Sequence, residues 1–181
     1  MKNIIEYIWI DGYGNLRSKT RVIESYYEIS KYDSCSNWNY DGSSTNQADG
    51  SDSEVILKPR AIFNDPFRGK SSKLLLCDTY LPNMDPHPSN TRSKAVEIFN
   101  RVKGLKPMFG IEQEFFLSSY SRVNGTDDYE LQPICFSNNN IKIREQEDYY
   151  CGIGFNNALG RHIIEDAFKN LLYSKLKITG L

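Results

Sequence analysis

Ile4-Ile5-Glu6-Tyr7-Ile8-Trp9-Ile10 is an almost unbroken run of β-branched and aromatic residues. Such side chains pack well on a pleated surface, so the run predicts a strand. It stops at Asp11-Gly12-Tyr13-Gly14-Asn15, a turn cluster. Residues 16–23 read as the returning strand, which makes 4–23 a hairpin. Further along, Trp38-Asn39-Tyr40 leads into the polar stretch 41–53. Residues 54–58 (Glu-Val-Ile-Leu-Lys) and 73–80 (Lys-Leu-Leu-Leu-Cys-Asp-Thr-Tyr) are two more strand candidates. The first eighty residues are therefore expected to be mostly β.

Pro82, Pro86 and Pro88 follow closely. Proline fixes φ and restricts its predecessor, which predicts an extended connector and a domain boundary near 85, dividing the chain into 1–84 and 85–181. Ser89 or Asn90 can cap a helix over about 90–103, with Ala95, Ile98, Phe99 and Val102 on one face. Residues 108–117 (Met-Phe-Gly-Ile-Glu-Gln-Glu-Phe-Phe-Leu) read as a strand, and 118–148 as polar and irregular. A second helix is expected over about 157–174, with Ile163, Ile164, Ala167, Phe168, Leu171 and Leu172 as its apolar stripe. From Lys175 another strand begins as the sequence reaches Leu181, which reads as a chain cut within a domain. The expected class is α+β.

Lysine and arginine number 22 against 23 aspartate and glutamate, a formal charge of −1, and 39% of residues are hydrophobic. This balance excludes a disordered acidic tail and gives no positive field to collect nucleic acid. No run of 18 apolar residues exists, and Glu6 and Asp11 interrupt the N-terminal stretch, so neither a membrane span nor a signal peptide is expected. A cytoplasmic location follows as the expectation. Cys35, Cys77, Cys135 and Cys151 form no Cys-x-x-Cys pair, which disfavours a zinc ribbon or thioredoxin-type site and suggests free thiols. Two histidines, His87 and His162, cannot build a His-rich metal centre.

Four places could carry chemistry. In a strand, residues i and i+2 share a face, putting the carboxylates of Glu112 and Glu114 about 6–7 Å apart. A hard divalent cation, Mg²⁺ or Mn²⁺, would relieve their repulsion. From spacing alone, a solvated strand face with two ordinary acids is the preferred account. Asp41-Gly42-Ser43-Ser44 is a turn whose amides could hold an anion, although its local composition favours a surface loop. It is not an EF-hand, because Asn46 stands at the glycine position and Asp52 at the final glutamate position. Gly152-Ile153-Gly154 ahead of a helix could approach a phosphate, but a lone Gly-x-Gly reads more simply as a helix-entry turn. Cys151 is expected to be a buried, inert thiol and His162 a polar-face helix residue.

Taken in order, six segments resemble glutamine synthetase of the eukaryotic type. They are Trp38-Asn39-Tyr40-Asp41-Gly42-Ser43-Ser44-Thr45, Asp52-Ser53-Glu54-Val55-Ile56-Leu57, Phe63-Asn64-Asp65-Pro66-Phe67-Arg68, Asn90-Thr91-Arg92, Phe109-Gly110-Ile111-Glu112-Gln113-Glu114, and Tyr149-Tyr150-Cys151-Gly152 followed by Gly160-Arg161. The resemblance reverses the preference at Glu112 and Glu114 in favour of metal.

It implies a β-grasp domain followed by the start of a catalytic domain, and an ATP-dependent amidation of glutamate by ammonia through γ-glutamyl phosphate. Glu112 and Glu114 match the metal carboxylates, and Glu112 is the implied cofactor-binding residue. Asp41 matches the aspartate that binds ammonium and takes its proton, with Ser44 beside it. Active sites of the family lie between subunits of a ring, so Asp41 would serve a neighbour's metals. The partners implied are glutamate, ammonia, ATP, and a homo-oligomeric ring or a chain supplying the remaining half.

The departures are specific. The match ends at Ile178-Thr179-Gly180, before the family's next metal glutamates, its metal histidine, its glutamate-binding loop and its phosphate-handling arginines. Arg144-Glu145-Gln146-Glu147-Asp148 replaces Pro-Gln-Gly-Pro, Phe155-Asn156 replaces Ala-Asp, and Met108 stands where an aromatic is usual. The isolated chain is therefore expected to be inactive. The alternative is a non-catalytic binding subunit that inserts into rings of a full-length synthetase.

Overall fold

The computed structural model describes residues 2–69, 71–122, 128–133, 150–154 and 157–180. It divides into two compact units, Met1–Met108 with Asn170–Leu181, and Phe109–Lys169.

The first unit is built on five strands, β1 (Lys2–Ile10), β2 (Leu16–Glu24), β3 (Trp38–Asp41), β4 (Glu54–Asn64) and β5 (Lys73–Tyr80). Their order is β2-β1-β5-β4-β3, antiparallel except for the central β1–β5 pair. This is the β-grasp arrangement expected from the resemblance. Period-two alternation turns Ile5, Tyr7 and Trp9 of β1 inward, where they meet Tyr40, Val55, Leu57, Leu75 and Cys77 in the core. Pro59 lies inside β4, where it cannot donate to a ladder, and a bulge follows between Pro59 and Ala61.

The sheet curls strongly. β2 and β3 are its opposite edges, yet Lys19 Nζ on β2 donates to the Asn39 carbonyl on β3 at 2.8 Å. The same ammonium lies 4.0 Å from the centre of the Trp38 ring. The aromatic pairs Tyr7–Trp38 (5.3 Å) and Trp9–Tyr40 (4.3 Å) fill the inside of this curl.

The connector after β5 differs from the extended segment expected from its prolines. Leu81 N donates to Asp85 O, Met84 N donates to Leu81 O, and Pro86 bridges back to Tyr80. Helix α1 (Thr91–Arg101) follows, and Asn90 is its cap, accepting from Ser93 N at 3.2 Å. The same Asn90 donates to Thr79 O at 3.0 Å, which ties the helix start to β5. Asn64 on β4 donates to the Tyr173 carbonyl, so the end of the last helix belongs to this unit.

Residues 107–117, which run from the first unit into the second, adopt neither helix nor strand and join neither described sheet, which overturns the strand expected over 108–117. Apolar and aromatic content favours a strand only where a neighbour takes up the backbone ladder. Phe109, Ile111, Phe115 and Phe116 are exposed in consequence. A hairpin of β6 (Ser118–Arg122) and β7 (Tyr129–Pro133) occupies part of the stretch expected to be irregular. Helix α2 (Arg161–Tyr173) confirms the second helical pattern with a later start. Residues 176–180 form no strand.

Candidate functional site

The polar stretch after β3 folds into an ordered turn. Gly42–Thr45 is a short 3₁₀ segment capped by Asp41, whose Oδ1 accepts from Ser43 N at 2.9 Å and Ser43 Oγ at 2.7 Å. Gly42 N donates to Ser53 O, and Thr45 Oγ1 donates to Gly42 O at 3.0 Å. Two glycines make the close packing possible. A Cβ at Gly42 would fall 2.6 Å from Val55 Cγ2, and one at Gly12 would fall 2.1 Å from the Asn46 carbonyl oxygen.

Asp41 and Ser44 are both exposed on this turn. The hydroxyl and amide of Ser43, with the Ser53 side chain, hold the Asp41 carboxyl below the usual carboxylate range. Among the described residues, no cationic side chain pairs with Asp41. The turn therefore presents a fixed, ionised carboxylate to solvent, a group suited to receiving a small cation.

The turn is anchored by Gln47, which sequence reading passed over, with Tyr40, His87 and Ser89, whose part in the anchor no local signal announces. Gln47 is buried in the polar stretch and donates from Nε2 to Ser89 Oγ at 2.9 Å and to Ile10 O at 3.3 Å. Tyr40 OH donates to Gln47 Oε1, and burial raises the Tyr40 hydroxyl well above its ordinary value. His87 Nε2 donates to the Gln47 carbonyl, while its Nδ1 accepts from Ser89 N at 3.1 Å. This pattern assigns His87 the neutral tautomer protonated at Nε2. No local pattern marks these residues, since Gln47 lies among polar neighbours and His87 and Ser89 come some forty positions later.

Glu112 and Glu114 belong to the other unit, on the exposed irregular segment 107–117. The shared strand face expected for them is absent, because the segment is not a strand. Their oxygen chemistry suits a hard divalent cation, but two carboxylates supply too few of the six ligands such an ion takes. Among the described residues, no three His, Cys, Asp or Glu side chains converge as a metal site. The pair does not form a metal centre by itself.

At the other candidate, Cys151 is exposed and not the buried thiol expected. It adopts a left-handed φ of 53° in the turn before Gly152. Gly154, seven positions ahead of α2, has a φ of 88°, which glycine adopts without strain. Tyr149, Arg144 to Asp148, Phe155, Asn156 and Cys135 lie outside the described residues. His162 is exposed on α2, as expected. Among the described residues, no helix is long and apolar enough to cross a membrane.

Comparison with known proteins agrees with the fold and with the family resemblance. Residues 1–82 match the family model described as glutamine synthetase, beta-Grasp domain. The chain is 44% identical over 180 residues to a chloroplastic/mitochondrial glutamine synthetase of Arabidopsis thaliana, covering 98% of this chain and 39% of that relative. It is 45% identical over 182 residues to glutamine synthetase cytosolic isozyme 1-5 of the same plant, covering 99% of this chain and 48% of the relative. The chain thus spans less than half the length of these curated relatives. A cryo-EM structure of Plasmodium falciparum glutamine synthetase superposes with a TM-score of 0.62 over 98% of this chain and 38% of that one, at 15% identity, a likeness of fold. The chain belongs to the glutamine synthetase family, and its first 82 residues are that family's β-grasp domain.

Proposed function

We propose that the chain serves glutamate–ammonia ligation, contributing the ammonium-binding loop of a glutamine synthetase site. Residues 1–84 act as the β-grasp domain and 85–181 as the N-terminal part of the catalytic domain. The observation that carries this reading is Asp41, exposed, held ionised by Ser43 and Ser53, and paired with no cation among the described residues. Family membership supports the same role.

In the proposed reaction, ATP transfers its γ-phosphoryl group to the side-chain carboxylate of glutamate, releasing ADP. Asp41 binds ammonium and accepts one proton from it, leaving a lone pair on nitrogen. The resulting ammonia attacks the acyl carbon, the C–N bond forms, the bond to phosphate breaks, and the nitrogen gives up one further proton, taken by the departing phosphate, to leave the neutral amide. Ser44 lies on the same turn to help orient the cation. Glu112 and Glu114 contribute two carboxylates toward a Mg²⁺ or Mn²⁺ site whose other ligands come from elsewhere in an assembled enzyme. Such an ion, when bound, neutralises the transferring phosphoryl group. The assembly proposed is a ring in which Asp41 serves a neighbouring subunit, located in the cytoplasm.

The test uses mixed rings. Full-length synthetase chains carry alanine at their own loop aspartate, so that ammonium sites depend on Asp41 of the 181-residue chain. Wild-type chain restores glutamine formation and Asp41→Asn does not. Failure of the wild-type chain to restore it, despite incorporation, refutes the reading. Alone, the chain shows no turnover above a Glu112→Ala control.

A second reading is favoured by the exposed apolar side chains Phe109, Ile111, Phe115 and Phe116. Here the chain is a non-catalytic subunit that inserts into full-length rings. It predicts co-purification with a longer synthetase and altered activity that persists in Asp41→Asn; absence of association sinks it.

A further inference from the structure

Asp41 is locked to Ser43 by local bonds, but these fix the carboxylate only relative to its own turn. The placement of the turn on the sheet needs a longer reach. Gln47 has that reach, because each of its four polar groups is engaged and each binds a different place. Its amide donates to Gly42 O at 3.0 Å, and its Oε1 receives the Tyr40 hydroxyl. Tyr40 and Gly42 are the two residues flanking Asp41. Its Nε2 reaches Ile10 O at the end of β1 and Ser89 Oγ in the connector before α1.

The remaining bonds close a ring. Gln47 Nε2 donates to Ser89 Oγ at 2.9 Å, Ser89 Oγ lies 2.8 Å from His87 Nδ1, and His87 Nε2 donates to the Gln47 carbonyl. Every donor direction in this circuit is compatible with the others, which gives the arrangement one orientation. Gln47 is 6% exposed, so water does not compete for these groups. Tyr40 is fixed in turn against Trp9 at 4.3 Å.

We propose that Gln47 is a positioning residue for Asp41: it clamps both residues flanking the carboxylate and couples the loop, through Ser89 and His87, to the connector that leads into α1. The inference rests on the ammonium-binding role proposed for Asp41 in its functional consequence, and on geometry alone in its structural one. Two measurements separate these.

The first is amide hydrogen exchange on the full 181-residue chain bearing Gln47→Met, Gln47→Glu or Ser89→Ala. Methionine keeps the bulk and removes the side-chain bonds. Glutamate keeps the acceptor for Tyr40 and loses the donors. With Gln47→Met, exchange at Ser43 and Gln47 rises about tenfold, the loss of roughly one buried hydrogen bond. Ladder amides of Tyr7, Leu57 and Leu75 stay protected. Gln47→Glu and Ser89→Ala give smaller changes in the same loop. Equal acceleration in loop and ladder would mean a global structural role and overturns the proposal, as does an unchanged loop. Should Gln47→Met fail to fold, Ser89→Ala, which leaves Gln47 in place, decides on the same criteria.

The second measurement is kinetic, in the mixed rings described above. Gln47→Met raises KM for ammonium about tenfold, leaving kcat at saturating ammonium and KM for ATP unchanged, and Gln47→Glu partly restores it. A fall in kcat with unaltered KM for ammonium overturns the positioning role. If the wild-type chain supports no turnover, the synthetase reading fails, and hydrogen exchange alone decides the role of Gln47.

Discussion

Replacing Gly12 with alanine isolates the contact between the β1–β2 turn and the Asp41 loop. The added Cβ would lie 2.1 Å from Asn46 O, 2.8 Å from Asn46 C and 3.1 Å from Thr45 O, all backbone atoms that cannot swing aside. Relief to an ordinary contact of 3.4 Å requires a separation of about 1.3 Å. The same movement breaks the Gly12 N–Thr45 O hydrogen bond, now 2.9 Å. Losing that bond costs about 1 kcal/mol and overpacking a further ~1–3 kcal/mol, together about 2–4 kcal/mol. For a chain of this size that is a fall in Tm of about 4–16 °C. Thermal unfolding followed by near-ultraviolet circular dichroism reads it, with Trp9 and Tyr40 as the local chromophores. Gly50 is the control, because nothing lies within 4 Å of a Cβ built there. Gly50→Ala should move Tm by less than about 2 °C. A Gly12→Ala chain as stable as wild type, or a Gly50→Ala chain equally damaged, refutes the reasoning.

Ser43→Ala removes the largest influence that depresses the Asp41 carboxyl, so its titration midpoint rises toward the ordinary carboxylate range, measured by carbon NMR of the side chain. The sign follows from linkage: a depressed carboxyl contributes stability above its unfolded pKa and loses it as pH falls through the folded pKa, so Ser43→Ala loses it at higher pH. A midpoint left in place refutes the assignment to Ser43. Alkylation of the native chain with iodoacetamide should label the exposed Cys151 and leave Cys35 and Cys77 unmodified until unfolding, since burial pushes the Cys77 thiol up to about 12. Labelling of Cys77 at the rate of Cys151 contradicts the packing described.

Where pattern and environment coincide, the sequence was readable. The run 4–10 alternates against a core that receives every second side chain, and the turn cluster after it closes the hairpin. Asn90 announces α1 because capping is a local act between a side chain and an amide three residues away. The strand expected at 108–117 failed for the opposite reason: strand formation is completed by a neighbour, and the described residues provide none. The β6–β7 hairpin was missed because Ser118-Ser119-Tyr120-Ser121-Arg122 lacks an apolar alternation to mark it.

The candidate site divides along the same line. Asp41 and its turn chemistry could be named from the chain, because Asp-Gly-Ser-Ser acts through bonds spanning two or three residues. The carboxylates of Glu112 and Glu114 could be named as chemistry but not as geometry. Gln47 could not be found at all, since its importance lies in partners at Ile10, Tyr40, His87 and Ser89 that only folding brings together. The sequence by itself determined the first hairpin, the later strands of the five-stranded sheet, the two helices and which residue types could bind a cation, because those are consequences of local sterics and side-chain chemistry. Tertiary structure alone decided that β2 and β3 would curl toward each other, that an exposed polar loop would be anchored from beneath, and that one buried glutamine would fasten it, because burial and long-range hydrogen bonds exist only between segments distant along the chain.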